Sequence, residues 1–468
     1  MNTTKKTLPG YSILEVLIAL GIIVISVSVG AILIFQSQSF SVDTTLNEEA
    51  TFLAHNNLET ALKTARDNFS TLVSGSSTSG NFTLEIIVEN IDSFTKKVTS
   101  RASWLTNPLR PQKVELVKII TDWPNATPPP DPTDDGGTGT TGDWKNLVTL
   151  GSVDLGPGNS ATDLDVKNKI VYMSASASAA SKPDFFIVDA TNGVSPFIVS
   201  SLNTGPTLNA IDVSGTYAYV ANNLVSGQLQ VIDVSNIASP SLLKTFQLPG
   251  VSGAGAVGNT IFFGYNKIFI GTKKATGPEF HIIDVSSPSN PVALGSFEIG
   301  DDVNSINVYG NIAYVATAAN EEVKVLNIAN PASITQIGGF DAPGTAEDGK
   351  TVWLVSKKLY LGRTEGGNDP ANHELHIINV TTPSAPADLG SKNFAADIND
   401  LRVRNNIAFL ATSDSNNEFQ VWDIANPTNI TFWSSLNFSQ IASGIDYENN
   451  LIYMSVRSND ALRIITSH

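Results

Sequence analysis

Seven divergent repeats, a twenty-residue uncharged run near the N-terminus and a Pro/Gly-rich stretch between them predict the fold class. It is an α+β head, a long N-terminal helix with a small antiparallel sheet, followed by an all-β seven-bladed propeller. The chain has 468 residues, which argues for more than one domain. Acidic residues outnumber basic ones by 44 to 28, for a net charge of −16. That balance argues against a nucleic-acid backbone as partner, because such binders need a basic face. A charged fraction of only 15%, with 35 Gly and 23 Pro, suits an all-β surface protein rich in turns. Cysteine is absent, so no disulfide and no thiolate metal site exists.

Residues 1–10 form a short polar leader with Lys5 and Lys6. Val16 to Phe35 then carries no charge, long enough as a helix to span roughly 30 Å of hydrocarbon. A secretory signal has a shorter apolar core and a small-residue cleavage site. A plain membrane anchor, with the basic leader held inside, is the simpler alternative. Glu15 separates the two readings. A carboxylate at the edge of an apolar span is costly and calls for a function and a cationic partner.

Lys6 to Gly10, then Tyr11-Ser-Ile-Leu-Glu15 and the apolar run, resembles a type IV prepilin cleavage site. The resemblance implies cleavage by a prepilin peptidase between Gly10 and Tyr11, and N-methylation of Tyr11. It also implies that Glu15 pairs with the freed N-terminal amine of a neighbouring pilin subunit during assembly. The family usually has Phe where this chain has Tyr11, and no helix-kinking proline occurs between Val16 and Phe35.

Beyond Phe35 the pattern turns amphipathic. Leu46, Ala50, Leu53, Ala54, Leu58, Ala61, Leu62 and Ala65 recur at three- and four-residue steps. One helix from about Tyr11 to Arg66 is expected, its first part (11–36) the membrane and assembly segment. Alternation at Phe82, Leu84, Ile86 and Val88 predicts a strand. Two more are expected at Lys97 to Trp104 and Lys113 to Ile120, turning at Asn107-Pro108. Residues 37–123 are thus read as a helix-on-sheet head. A strand ending in Trp104 and another ending in Ile119-Ile120-x-x-Trp123 resemble a minor-pilin head, with both tryptophans expected in the core. Residues 124–143 are too poor in apolar side chains to fold and read as a tether. Asp131, Asp134 and Asp135 there lack the Gly and closing Glu of a calcium loop.

From 144 to 468 the chain is periodic. An apolar strand end followed by Asp or Asn recurs at Val188-Asp189, Ile232-Asp233, Ile283-Asp284, Leu326-Asn327, Ile378-Asn379 and Trp422-Asp423, with a degenerate copy at Ile465-Thr466. The gaps are 44, 51, 43, 52, 44 and 43 residues, the spacing of propeller blades. The stretch from His281 through Ser287-Pro288 to Gly295 resembles the LVIVD repeat family of propeller-forming proteins. The last repeat supplies three strands, and Leu147 to Leu155 resembles the missing fourth. The ring is therefore expected to close there, which removes its open edges.

Aligning the inner strands puts Thr162, Asn209, Asn259, Asn304, Lys350, Asn399 and Ser443 at one position. This candidate channel-facing ring suits a polar ligand, an ion or structural water. The five histidines show no metal spacing, and His373 and His376, three apart in an expected strand, are expected to face opposite sides. No catalytic triad, phosphate loop or paired-carboxylate motif stands out, so no catalytic residue, cofactor or metal is expected. Insertions at Gly271 to Glu279 and Arg363 to Glu374 are candidate binding loops. The expected function is a pilus or pilus-like minor subunit, inserted in the inner membrane and then assembled into a surface filament. Its propeller would serve adhesion or binding of an unknown surface ligand or protein. The alternatives are a type II secretion pseudopilin and a surface-anchored propeller enzyme acting on a polymer.

Overall fold

The computed structural model describes residues 46–65, 69–90, 95–107, 110–121, 140–205, 207–344, 348–366 and 372–468. The leader with Gly10, the 11–36 segment with Tyr11 and Glu15, Trp123 and tether residues 124–139 lie outside them. Among the described residues no helix is long and apolar enough to cross a membrane. The chain divides into two units, residues 1–126 and 127–468.

In the first unit, α1 (46–65) precedes β1 (Gly75–Ser79), β2 (Phe82–Asn90), β3 (Thr95–Asn107) and β4 (Arg110–Thr121). The strands form one antiparallel meander in the order β1-β2-β3-β4. The helix's small apolar stripe, Ala50 and Ala54, lies against Phe82, Leu84, Ala102 and Trp104. Leu58, Ala61 and Leu62 meet Leu72 and Val98. Ser100 Oγ donates to the Ala54 carbonyl at 2.8 Å, and buried Lys96 Nζ donates to the Phe69 and Leu72 carbonyls at 2.8 and 2.9 Å. Trp104 is a core residue, as expected, with its ring centroid 5.6 Å from that of Phe82.

The α+β class expected for this region is corrected. Eight four-stranded sheets stand against one short helix, so the described chain is nearly all-β. A fourth strand, β1, arises where Gly75-Ser-Ser-Thr-Ser79 pairs with β2 from Gly75↔Ile86 to Ser79↔Phe82. Backbone pairing there outweighs a stretch with no apolar alternation, which is why the pattern did not reveal it.

The second unit is a closed ring of seven four-stranded antiparallel sheets. The innermost strands of blades 1 to 7 are Asn159–Lys167, Leu208–Ser214, Gly258–Gly264, Val303–Tyr309, Gly349–Val355, Ile398–Arg404 and Ala442–Glu448. Each contacts the next, and the last contacts the first. Blade 7 is completed by β5 (Leu147–Asp154), paired with Asp460–Ser467 from Leu147↔Ser467 to Asp154↔Asp460. This is the closure expected from the sequence.

Local chemistry explains the repeat. Asp189, Asp233, Asp284, Asn327, Asn379 and Asp423 each accept the N–H two residues on, at 2.8 to 3.0 Å. The recurring Asp or Asn is therefore a turn former at the end of the third strand. Asn168-Lys169, Tyr265-Asn266, Ser356-Lys357 and Asn449-Asn450 have both φ values positive, as a two-residue hairpin turn between the first two strands needs.

Candidate functional site

The axis of the propeller is built from the seven aligned positions. In every blade the ladder slips at that residue, as at Leu208/Ala210 around Asn209 and Val303/Ser305 around Asn304. The extra residue leaves the ladder and its side chain swings toward the next blade. Thr162 Oγ1 donates to the Leu208 carbonyl at 2.7 Å, Asn209 Nδ2 to Gly258 at 2.6 Å and Asn259 Nδ2 to Val303 at 2.9 Å. Asn304 Nδ2 reaches the Gly349 carbonyl at 2.8 Å, Asn399 Nδ2 that of Ala442 at 2.8 Å, and Ser443 Oγ that of Ala161 at 3.2 Å. Lys350 spans its gap by meeting Asn399 Oδ1 at 3.0 Å and Asp397 Oδ2 at 2.9 Å. The seven side chains form one continuous belt. Their donors are used between blades, so the ring expected to greet a ligand is first a fastening.

A second tier was not singled out in the sequence. One residue past the belt stand Asp163 and Asp400, and three past it Asp165, Asp212, Asp446, Arg402 and Trp353. An innermost strand has a ladder partner on one side only, so its other N–H groups need acceptors. Asp163 accepts from Ile211 N at 3.1 Å, Asp165 from Val213 N at 2.6 Å and Asp212 from Phe263 N at 2.7 Å. Asp400 takes Ile445 N and Asp446 takes Val166 N, each at 3.0 Å. Each acceptor belongs to the blade before its donor. Extending the inner-strand alignment by three residues is the sequence signal that reveals this tier.

Two cations answer these five carboxylates. Arg402 pairs with Asp400 at 3.0 Å and Asp446 at 3.5 Å, with its guanidinium 4.1 Å above the Trp353 ring. Lys167 pairs with Asp165 at 3.1 Å. Burial, and then Asp400, pushes Asp163 up to about 7. Burial pushes Asp165 up to about 6 against the pull of Lys167, and burial with nearby Asp165 pushes Asp212 up to about 8. Asp165, Asp212 and Asp446 hold Lys167 above the usual ammonium range. Arg402 is also held high, because four carboxylates outweigh its burial.

Two residues before the belt, Asp302, Asp348 and Asp397 stand at a rim with Asp301. Asp348 is pushed up by burial and then by Asp301 and Asp302. Lys274 Nζ meets Asp301 at 3.2 Å, and the backbone N–H groups of Lys274 and Glu365 donate to Asp302 and Asp397. The 271–279 insertion is pinned by two backbone bonds between Ser252 and Thr276. In the 363–374 insertion, residues 367–371 lie outside the described set, and Arg363 forms a buried 2.7 Å pair with Glu322.

The histidines depart from expectation. His373 precedes the strand Leu375–Asn379, so strand alternation does not apply, and its ring centroid lies 6.3 Å from that of His376. His373 Nδ1 lies 2.6 Å from Ser391 Oγ. His376 uses both nitrogens, on Asp388 at 3.3 Å and on the His373 carbonyl at 3.1 Å. His281, in the equivalent place, donates Nε2–H to the Pro278 carbonyl, and burial holds it down at about 4. Among the described residues no His, Asp and Glu side chains group as metal ligands.

Residues 209–247, 275–298, 300–342 and 396–437 match the LVIVD repeat. No curated protein matches the chain in sequence. Among solved structures the chain is similar to a crystal structure of a mitotic checkpoint complex. The identity is 14%, over 71% of this chain and 96% of that one, with a TM-score of 0.50. It is also similar to the β-propeller domain of Cps50 (Swd1) from Myceliophteria thermophila, at 9% identity over 69% and 100% and a TM-score of 0.50. A third is catalytically inactive virginiamycin B lyase from Staphylococcus aureus with quinupristin, at 14% identity over 69% and 100% and a TM-score of 0.51. Identities this low establish the fold alone. The chain carries a β-propeller with LVIVD repeats.

Proposed function

We propose that the chain is a type IV pilin-like subunit that carries its β-propeller to the cell surface for binding of a ligand or partner, without catalysing a reaction. The observation that carries this reading is the sequence Gly10-Tyr11-Ser-Ile-Leu-Glu15 directly ahead of the uncharged run Val16 to Phe35. A carboxylate at the edge of such a run needs a cation, and the α-amine freed by cleavage after Gly10 supplies one. The propeller suits display because β5 brings its start and its end into one blade. A single connection at that blade then suffices to carry the module.

Because the belt donors are engaged between blades, recognition is assigned to the rim. Asp301, Asp302, Asp348 and Asp397 there favour a basic or hydroxyl-rich ligand. The test is incorporation into filaments. Glu15→Leu is expected to leave the protein in the membrane fraction and remove it from filaments sheared off the cell. Equal recovery of wild type and variant from sheared filaments would sink the pilin reading.

A further inference from the structure

We propose that Asn192 is a site of spontaneous deamidation, and that its conversion loosens the seam at which the propeller closes. The residue lies in the turn between the third and fourth strands of blade 1, exposed to water, and is the only Asn in the chain followed by Gly. Asn192 Oδ1 accepts the Val194 N–H at 3.2 Å. That bond folds the carboxamide back over the peptide it must react with. Gly193 lacks the side chain that would shield its amide nitrogen.

The same turn in the other blades lacks this combination. Blade 2 has Asn236-Ile237, where a β-branched side chain crowds the nitrogen. Blades 4 and 6 have Asn330-Pro331 and Asn426-Pro427, and proline has no N–H to lose. Blades 3 and 5 carry Ser287-Pro288 and Thr382-Pro383 at that position, and Asn290 later in the blade 3 turn precedes Pro291. Blade 1 alone of these six turns is open to the reaction.

The Gly193 nitrogen attacks Asn192 Cγ, the bond from Cγ to the side-chain nitrogen breaks, and ammonia leaves with the Gly193 proton. Water then opens the succinimide, giving aspartate or, with one more methylene in the backbone, isoaspartate. The position makes this consequential. A β-carbon at Gly193 would lie 3.4 Å from Leu150 Cδ1 of β5 and 3.7 Å from Ile464 Cγ2 of the last strand. A β-carbon on Gly151 of β5 would come within 2.5 Å of the Gly193 carbonyl. The turn is thus pressed against the two strands that close the ring, and a longer backbone there pushes on both.

The test is peptide mapping by mass spectrometry of the full-length protein held in warm, mildly alkaline buffer, with Gly193→Ala as control. That alanine meets only ordinary contacts, so the variant keeps its fold. The wild-type peptide containing residue 192 is expected to convert from amide to acid several-fold faster than in Gly193→Ala, and faster than every other Asn peptide. Hydrogen exchange of β5 is expected to quicken in the aged wild type and not in the aged variant. Equal conversion in the two proteins, or a residue 192 that stays an amide while other asparagines convert, would overturn the site. Conversion with unchanged exchange in β5 would overturn its effect on the seam.

Discussion

Asn304 donates to the Gly349 carbonyl and accepts from Asn259 Nδ2 at 3.2 Å, which makes it a link in the belt. Asn304→Ala removes both bonds, including the one to the carbonyl of buried Gly349, so its expected cost is on the order of 1–2 kcal/mol. Urea unfolding checks this; a variant as stable as wild type would return the belt to a ligand-binding role. Asp212 makes a pH prediction. Burial pushes it up to about 8, above an unfolded value near 4, so the folded state holds the proton to higher pH. Its stabilising effect is full below about pH 4 and is lost as the pH rises toward 8. Asp212→Asn keeps an acceptor for Phe263 N–H and cannot titrate. Between about pH 5 and pH 8 the wild type is expected to lose on the order of 3–4 kcal/mol more than this variant in urea titrations. The belt positions were legible because all seven repeats align there. Their purpose was not, because a bulge that turns a side chain sideways leaves no mark in strand alternation.

At the level of elements, β5 decides whether the ring closes. Its register with Asp460–Ser467 supplies blade 7 with a fourth strand. Replacing Leu147 to Asp154 by an alternating Pro/Ser run in the full chain removes N–H donors and leaves the edge of Asp460–Ser467 unpaired. The variant is expected to melt lower and to associate into larger species by size-exclusion chromatography; a monomer with the wild-type melting temperature would refute the closure. The likeness of Leu147 to Leu155 to an outer strand makes this legible in the sequence. In the first unit, β2 was legible from alternation and β3 and β4 from the turn at Asn107-Pro108 between them, whereas β1 is a Gly/Ser/Thr strand held by backbone bonds and carries no apolar signal. The paired histidines were misread because the strand containing His376 begins only at Leu375.

On the scale of the whole molecule, two kinds of information join in one chain. The period of the repeats gave the number of blades, and the Pro/Gly-rich stretch 124–143 precedes the propeller in sequence. The acidic second tier stayed hidden because its members recur in only some blades, so repetition did not expose them. The recognition surface is harder still to read, because propellers host many activities and the rim residues differ from blade to blade. The N-terminal motif is where the proposed function meets chemistry most directly. Mass spectrometry of the N-terminal peptide, from filaments sheared off cells making this protein, tests it most directly. The account predicts a peptide that begins at Tyr11 with a methylated amine. A peptide that still carries the leader through Gly10, or absence of the protein from the sheared fraction, would contradict it.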